Sequence, residues 1–354
     1  MMKKLKLKYE AVVYGLYPRE KGEKDYSVGE FVFKEKQIDL TKYKEIYTDN
    51  PYFINSNLRY WCNQFAGDEN HYYCCFENDN PIEIEVSNKN GASKDKIKKY
   101  VEKNLDELRN KVLYLEKVLR LVTNLDIFIP VIKLEVYDDK MEFIEKVFFM
   151  QDFTPLNHAS RFSENNLKLQ SDRLRLNIHW DSMTKIMSTN KEYIRALDYF
   201  NQSFSVNNIP VKLLCLFASL ESLFNYDKEN IAEKVSTYTS KLIFDKDKKD
   251  EIYSRIKKLY DERSRYIHGQ RTDRITYAFY EELKEFVRVV LLNYWFVSMY
   301  NEVKNNREMI SFLDEEKPLN TNTQLAIRAI RETDYTKFYS DIREKLENGD
   351  TDIL

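Results

Sequence analysis

In the segment RSRYIHG, residues 263–269, an arginine and a histidine stand five positions apart. On the stretch leading into it, Ile252, Ile256, Leu259, Arg263 and Ile267 recur at steps of 4, 3, 4 and 4, the spacing of one buried helix face, so Arg263 occupies an apolar slot. An unpaired guanidinium is costly to bury, so Arg263 must either meet a carboxylate or line a wet cleft that receives an anion. Histidine is the side chain that titrates near neutral pH and moves protons there, a task His268 can perform. Gly269 follows it, the residue type that ends helices in a left-handed turn, so the predicted helix stops at the histidine. Five residues on an ideal helix lie about 140° apart. Arg263 and His268 therefore converge only through the helix end or across a dimer.

Neighbouring residues supply candidates for supporting roles. Glu221 is an acid inside the otherwise apolar run LFASLESLF and can hold Arg263 or His268 in place. A plainer reading stands beside the chemical one: an internal Arg263–Glu221 ion pair, with His268 near the carbonyls that end its helix. Residues 251–275 hold seven basic side chains (Arg255, Lys257, Lys258, Arg263, Arg265, Arg271, Arg274) and four acidic ones, a local +3 in a chain of net −2, which favours phosphate contact. Tyr260, Tyr266, Tyr277 and Tyr280 are candidates to stack on unpaired bases, although most of the aromatic residues belong to cores. Cys62, Cys74, Cys75 and Cys215 lack zinc-ligand spacing, and His71, His158, His179 and His268 form no HxxxH or HxH cluster, so neither metal nor other cofactor is expected.

The elements that must position these residues are helices. From Asn190 onward apolar spacing predicts helices over about 190–205, 210–226, 229–244, 247–267 and 272–304, the second capped by Asn207 or Asn208 with Pro210 in its first turn. The stretch Phe286–Tyr300 is interrupted by Arg288 and Asn293 and falls short of the roughly 20 apolar residues of a membrane-spanning helix. It reads as a buried helix. A last segment, Thr321–Glu347, is again loosely helical. Before residue 153 the pattern is mixed, with alternating strand-like runs KLKLKYEAVVYGL, GEFVFKE, IEIEV, IPVIKLEVY and EKVFFM. Between them Ser93–Thr123 carries Val101, Leu105, Leu108, Val112, Leu115, Leu119 and Val122 in a heptad rhythm. That seam packs on its own sheet or makes a dimer contact. Pro155 and scattered Asn and Ser mark 154–189 as a connector, with His158 and His179 in it.

Gly and Pro number only 7 each, which fits long helices and few turns. Lys plus Arg (56) nearly balances Asp plus Glu (58), so no overall field draws the chain to nucleic acid or an anionic membrane, and any RNA contact must be local. The start MMKKLKLKYE has no apolar run behind it, so a reduced, cytoplasmic protein is expected.

RSRYIH, with Ser264 in the small polar position, resembles the Arg-polar-spacer-His pattern of the HEPN superfamily. FASLESLF (217–224), NIAEKVSTYTSKLI (230–243) and IKKLYDERSRYIHG (256–269) are similar in order and spacing to its Apea-like branch. The resemblance covers about 190–305. It departs from the HEPN toxins that pair with nucleotidyltransferase antitoxins, since Gly-Gln rather than x-Tyr follows His268, so such a partner is not expected. The resemblance implies a helical bundle that dimerises, bringing two Arg–His pairs into one cleft, and RNA cleavage without metal in defence against phage. His268 would then move protons, Arg263 would hold phosphate oxygens, Ser264 would bind phosphate or orient the histidine, and Arg265, Lys258, Arg271 and Tyr266 would bind RNA. A phage-derived activator or an inhibitory partner is implied by the need to keep such an enzyme quiet. The expected fold class is α+β: a β-rich N-terminal sensing or regulatory domain with one long helix (1–153), the connector (154–189), an all-α HEPN bundle (190–305) and a helical tail (306–354). The alternative function is a non-catalytic dimeric module that binds nucleotide or nucleic acid through Arg263.

Overall fold

Strict alternation in MKKLKLKYEAVVY builds a 13-residue strand, β1 (Met2–Tyr14), with Leu5, Leu7, Tyr9, Ala11 and Val13 buried and Lys6, Lys8 and Glu10 on the wetter face. The computed structural model describes residues 2–14, 26–37, 72–77, 82–87, 94–123, 127–138, 140–150, 180, 183–186, 189–206, 208–224, 229–270 and 275–330. After β1 come β2 (Tyr26–Val28), β3 (Phe31–Gln37), β4 (Tyr72–Glu77), β5 (Ile82–Ser87), helix α1 (Lys94–Thr123), β6 (Phe128–Asp138) and β7 (Phe143–Met150). All strand pairs are antiparallel, in the order β2-β3-β4-β1-β6-β7. β1 is long enough to pair twice along one edge, Met2–Leu7 with β5 and Glu10–Val13 with β4, while β6 takes the other edge. The alternating runs anticipate five of these strands. β2 and β4 were not expected; YYCCFE lacks the apolar–polar alternation that marks the rest.

The heptad seam of α1 is spent on its own unit. Leu108, Val112, Leu115, Leu119 and Val122 are buried, and the helix packs against β6. A buried pair fixes its end: Arg120 Nη2 lies 2.8 Å from Glu116 Oε1, the Ile129 N–H donates to Glu116 Oε2, and Arg120 Nε donates to the Ile127 carbonyl. The dimer reading of the seam is thereby corrected for Leu108, Val112, Leu115, Leu119 and Val122, whose side chains are already buried. Trp180 packs on the same unit, edge-on to Phe31 and tilted against Tyr114, over Gly29 at the β2–β3 turn.

The chain clusters into two units, Met1–Trp180 and Asp181–Leu354. The second is helical: α2 (Lys191–Ser205), α3 (Ile209–Phe224), α4 (Ile231–Leu242), α5 (Lys249–Ile267), α6 (Tyr277–Tyr300), α7 (Asn306–Asp314) and α8 (Thr321–Ile330). Its axis is α6, which contacts α2, α3, α4, α5 and α8 and is buried without a break from Glu282 to Val297. Arg288 and Asn293, the polar interruptions of the apolar stretch Phe286–Tyr300, are both bonded: Arg288 makes two hydrogen bonds, 2.9 and 2.7 Å, to Glu285, and Asn293 Nδ2 donates to the Leu242 carbonyl. No helix among the described residues is long and apolar enough to cross a membrane.

Caps set the helix starts. Asn208 Oδ1 accepts from the Val211 N–H ahead of Pro210-bearing α3, and Asn190 Oδ1 accepts from Tyr193 at α2. At α7 the Asn305 amide donates to Glu308 Oε1, Asn305 Oδ1 accepts from the Glu308 N–H and Glu308 Oε2 accepts from the Lys304 N–H, a variant of the capping box that starts this helix after α6. Apolar spacing alone did not reveal α7. The connector's histidines, His158 and His179, lie outside the described residues, as does everything after 330.

Candidate functional site

Helix α5 carries the motif. Asp250 and Glu251 in its first turn suit the positive end of the helix, and Ile252, Ile256, Leu259 and Tyr260 form its buried stripe. Its end is set by Gly269 at φ +72°: the Gly269 N–H donates to the Tyr266 carbonyl and the Gln270 N–H to the Arg265 carbonyl, each at 3.0 Å. This is the Schellman pair of bonds, and it stops the helix with His268 as the last half-helical residue.

Arg263 sits one turn before that end and faces α3. Its Nη2 lies 3.2 Å from Glu221 Oε1 and its Nη1 donates to the Tyr260 hydroxyl at 3.2 Å. The Tyr260 hydroxyl in turn donates to the same Glu221 oxygen at 2.8 Å. The guanidinium lies over the Tyr260 ring, 5.0 Å from its centroid, and Phe217, one turn before Glu221 on α3, meets that ring edge-on at 5.0 Å. Spacings of four on α3 and three on α5 bring these four side chains together. Burial and the bond to the Glu221 carboxylate push the Tyr260 hydroxyl up to about 12, so it remains a proton donor at neutral pH.

Arg263 is loosely held compared with its neighbours. Arg255 on the same helix makes two 2.6 Å bonds to Glu282, and Arg288 bonds Glu285 twice, whereas Arg263 has single 3.2 Å contacts and a buried Nε with no partner among the described residues. Ion-assisted N–H···O bonds run about 2.7–2.9 Å. About a fifth of each side chain, Arg263 and Glu221, reaches solvent. The arrangement is thus a wet-edged, charge-balanced ion pair whose guanidinium keeps spare donors.

Glu221 and Arg263 are brought together, as the ion-pair reading and the supporting role both require. His268 is not: its side chain is exposed and makes no hydrogen bond or ion pair among the described residues. Ser264 is half-buried, and its carbonyl accepts from the His268 N–H. Lys258 is exposed and Tyr266 half-exposed on α5; Arg271 lies outside the described residues. The local +3 is smaller in effect than its count: Arg255 is tied to Glu282, Lys257 to Glu233 and Arg265 to Glu262. Two stacking candidates are corrected. Tyr260 and Tyr280 are 8% and 2% exposed, and the Tyr280 ring already carries the Lys212 and Lys284 ammonium groups.

Among the described residues no group of three or more His, Cys, Asp or Glu side chains is placed to hold a metal ion. Fold and site define an α+β chain with an antiparallel-sheet unit and a helical unit that presents an Arg–Glu–Tyr cluster and, at the end of the helix that carries the arginine, an exposed histidine. No protein-family model, curated protein or solved structure matches the chain.

Proposed function

We propose that the chain is a metal-independent endoribonuclease of HEPN type, a cytoplasmic homodimer in anti-phage defence whose helical unit is the HEPN bundle. One observation carries the reading: a half-buried arginine with unfilled hydrogen-bonding capacity, on a helix that ends one turn later at an exposed histidine. Within one chain no hydrogen bond or ion pair joins the two side chains among the described residues. A second copy placed across the end of α5 supplies the missing half, as closed two-fold interfaces do.

In the reaction the ribose 2′-hydroxyl attacks the adjacent phosphorus, loses its proton to a base, and the P–O5′ bond breaks as O5′ takes up a proton. The products are a 2′,3′-cyclic phosphate and a 5′-hydroxyl. His268 moves the proton: it is exposed at the end of α5, and an imidazole can serve as both acid and base. Arg263 holds the two non-bridging oxygens as charge grows on them. Ser264 orients the phosphate or the imidazole. Lys258 and Tyr266 contact the flanking strand, together with Arg271 and with Arg265, half of whose side chain is exposed beside its bond to the buried Glu262. The sheet unit senses infection or restrains the nuclease.

The test is cleavage of single-stranded RNA by wild type and His268→Ala with EDTA present, reading the product ends. A loss of about 100-fold or more, the scale of a general acid or base, with cyclic phosphate ends in wild type, supports the reading. Equal cleavage by both proteins removes His268 from the chemistry. RNA binding without cleavage by either assigns the chain to the alternative, a dimeric binding module that uses Arg263.

A further inference from the structure

The geometry points to Tyr260 as a positioning residue that sets the pose in which Arg263 meets a phosphate; this rests on the proposed reading of Arg263 as an anion-binding group. Three contacts form a closed ring: hydroxyl to Glu221, Nη1 to hydroxyl, Nη2 to Glu221. A guanidinium has five N–H donors. Nη1 donates one of them to the hydroxyl and Nη2 is held in the ion pair, which fixes the plane of the group; the Nε–H is buried without a partner among the described residues, so the N–H groups left for a ligand or water are those remaining on the two terminal nitrogens. The tyrosine ring beneath, pinned by Phe217, fixes the height of that plane. Glu221 alone, at one 3.2 Å contact, leaves rotation about that contact open; the hydroxyl supplies the second point that removes it.

Tyr260 does this without touching RNA. Its ring is covered on one face by the guanidinium and edged by Phe217, with 8% of the residue exposed, so no base has access to stack on it. The hydroxyl stays protonated through the physiological range, so it always has its proton for Glu221 and its lone pair for Arg263. The role is one of orientation, in which a preset donor geometry spares the arginine the ordering step when phosphate arrives.

The experiment is a double-mutant cycle on the full chain. Affinity for a 2′-O-methyl single-stranded oligonucleotide, which lacks the attacking hydroxyl, is measured for wild type, Tyr260→Phe, Arg263→Ala and the double variant, with thermal unfolding as a control. Phenylalanine keeps the ring and its packing. Tyr260→Phe is expected to weaken binding by about tenfold, the scale of one hydrogen bond, in the wild-type background and to have no effect once Arg263 is alanine. Equal weakening in both backgrounds, or none in either, overturns the proposal, as does a wild type that binds no oligonucleotide. The outcome separates from that of the nuclease reading: coupling without RNA cleavage sinks the nuclease and keeps Tyr260, whereas His268-dependent cleavage without coupling does the reverse.

Discussion

Replacing Gly29 by alanine tests the packing of the sheet unit at one atom. Gly29 sits at φ +57°, and a Cβ built there falls 2.3 Å from Trp180 Nε1 and 2.8 Å from Cδ1 and Cε2. Non-bonded carbon contacts settle at about 3.5–4.0 Å, so the indole must retreat by more than 1 Å from its slot against Phe31 and Tyr114. The left-handed backbone adds about 1 kcal/mol for any residue with a Cβ. Removing a buried tryptophan outright costs about 3–5 kcal/mol, which bounds the loss from displacing it. Gly29→Ala should therefore destabilise the sheet unit by about 3 kcal/mol or more, read by urea unfolding with circular dichroism and tryptophan emission together. Trp180→Ala should cost a similar amount, and the double variant only the backbone's ~1 kcal/mol beyond Trp180→Ala, because the rest of the two losses is one contact. A Gly29→Ala protein within about 0.5 kcal/mol of wild type, the range of inert surface changes, or full additivity in the double variant, would refute the argument.

Breaking the two-bond tie between α5 and α6 with Arg255→Ala leaves Glu282 facing a mostly buried surface, so a loss of about 2 kcal/mol is expected, below that of a fully buried pair because a fifth of the arginine is wet. Arg255→Met with Glu282→Leu should recover most of it in thermal unfolding; a double variant as unstable as the single one contradicts this. Acid stability of the helical unit should depend on Glu281. Burial alone would raise its carboxyl, but Lys284, the Tyr277 hydroxyl and Lys212 bring it below the ordinary value. Its contribution is therefore complete above the ordinary carboxylate pKa and is lost as pH falls through the lower folded value. Glu281→Gln should flatten the urea midpoint against pH over that acid window, and an unchanged slope would exclude Glu281 as its source.

Local patterning carried most of the helical unit. The 4-3-4-4 spacing drew α5, flagged Arg263 as out of place and, with Gly269, marked where the helix stops. What completes Arg263 lies 42 positions earlier at Glu221 and could be named as an acid in an apolar run, but its closure through the Tyr260 hydroxyl is tertiary and leaves no trace in spacing. Counting charges over 251–275 overstated the basic field for the same reason: the partners of Arg255 and Lys257 are on other helices. The cap at Asn305 and Glu308 is legible in residue types, yet apolar periodicity, which ends the preceding helix near 304, does not by itself mark the short helix α7. In the sheet the runs located strands, while their order was hidden, since nothing in a 13-residue alternating segment says that it will take two partners on one edge and a third on the other.

That doubly shared strand also has a consequence for the order in which the chain can fold as it is synthesised. β1 is made before every partner it will have, and its Lys6 waits for Tyr137 and its Ala11 for Ile132. Contacts of such sequence separation form slowly, and the interval leaves an apolar, alternating strand unpaired. In the helical unit the extensive packings of α2 on α3 and of α4 on α5 join neighbours in sequence, so the half that bears Arg263 and His268 can assemble from local contacts. A ribosome that pauses before Phe128–Met150 has emerged holds a sheet with no second edge, and prolonged pauses there should feed aggregation rather than a smaller folded product.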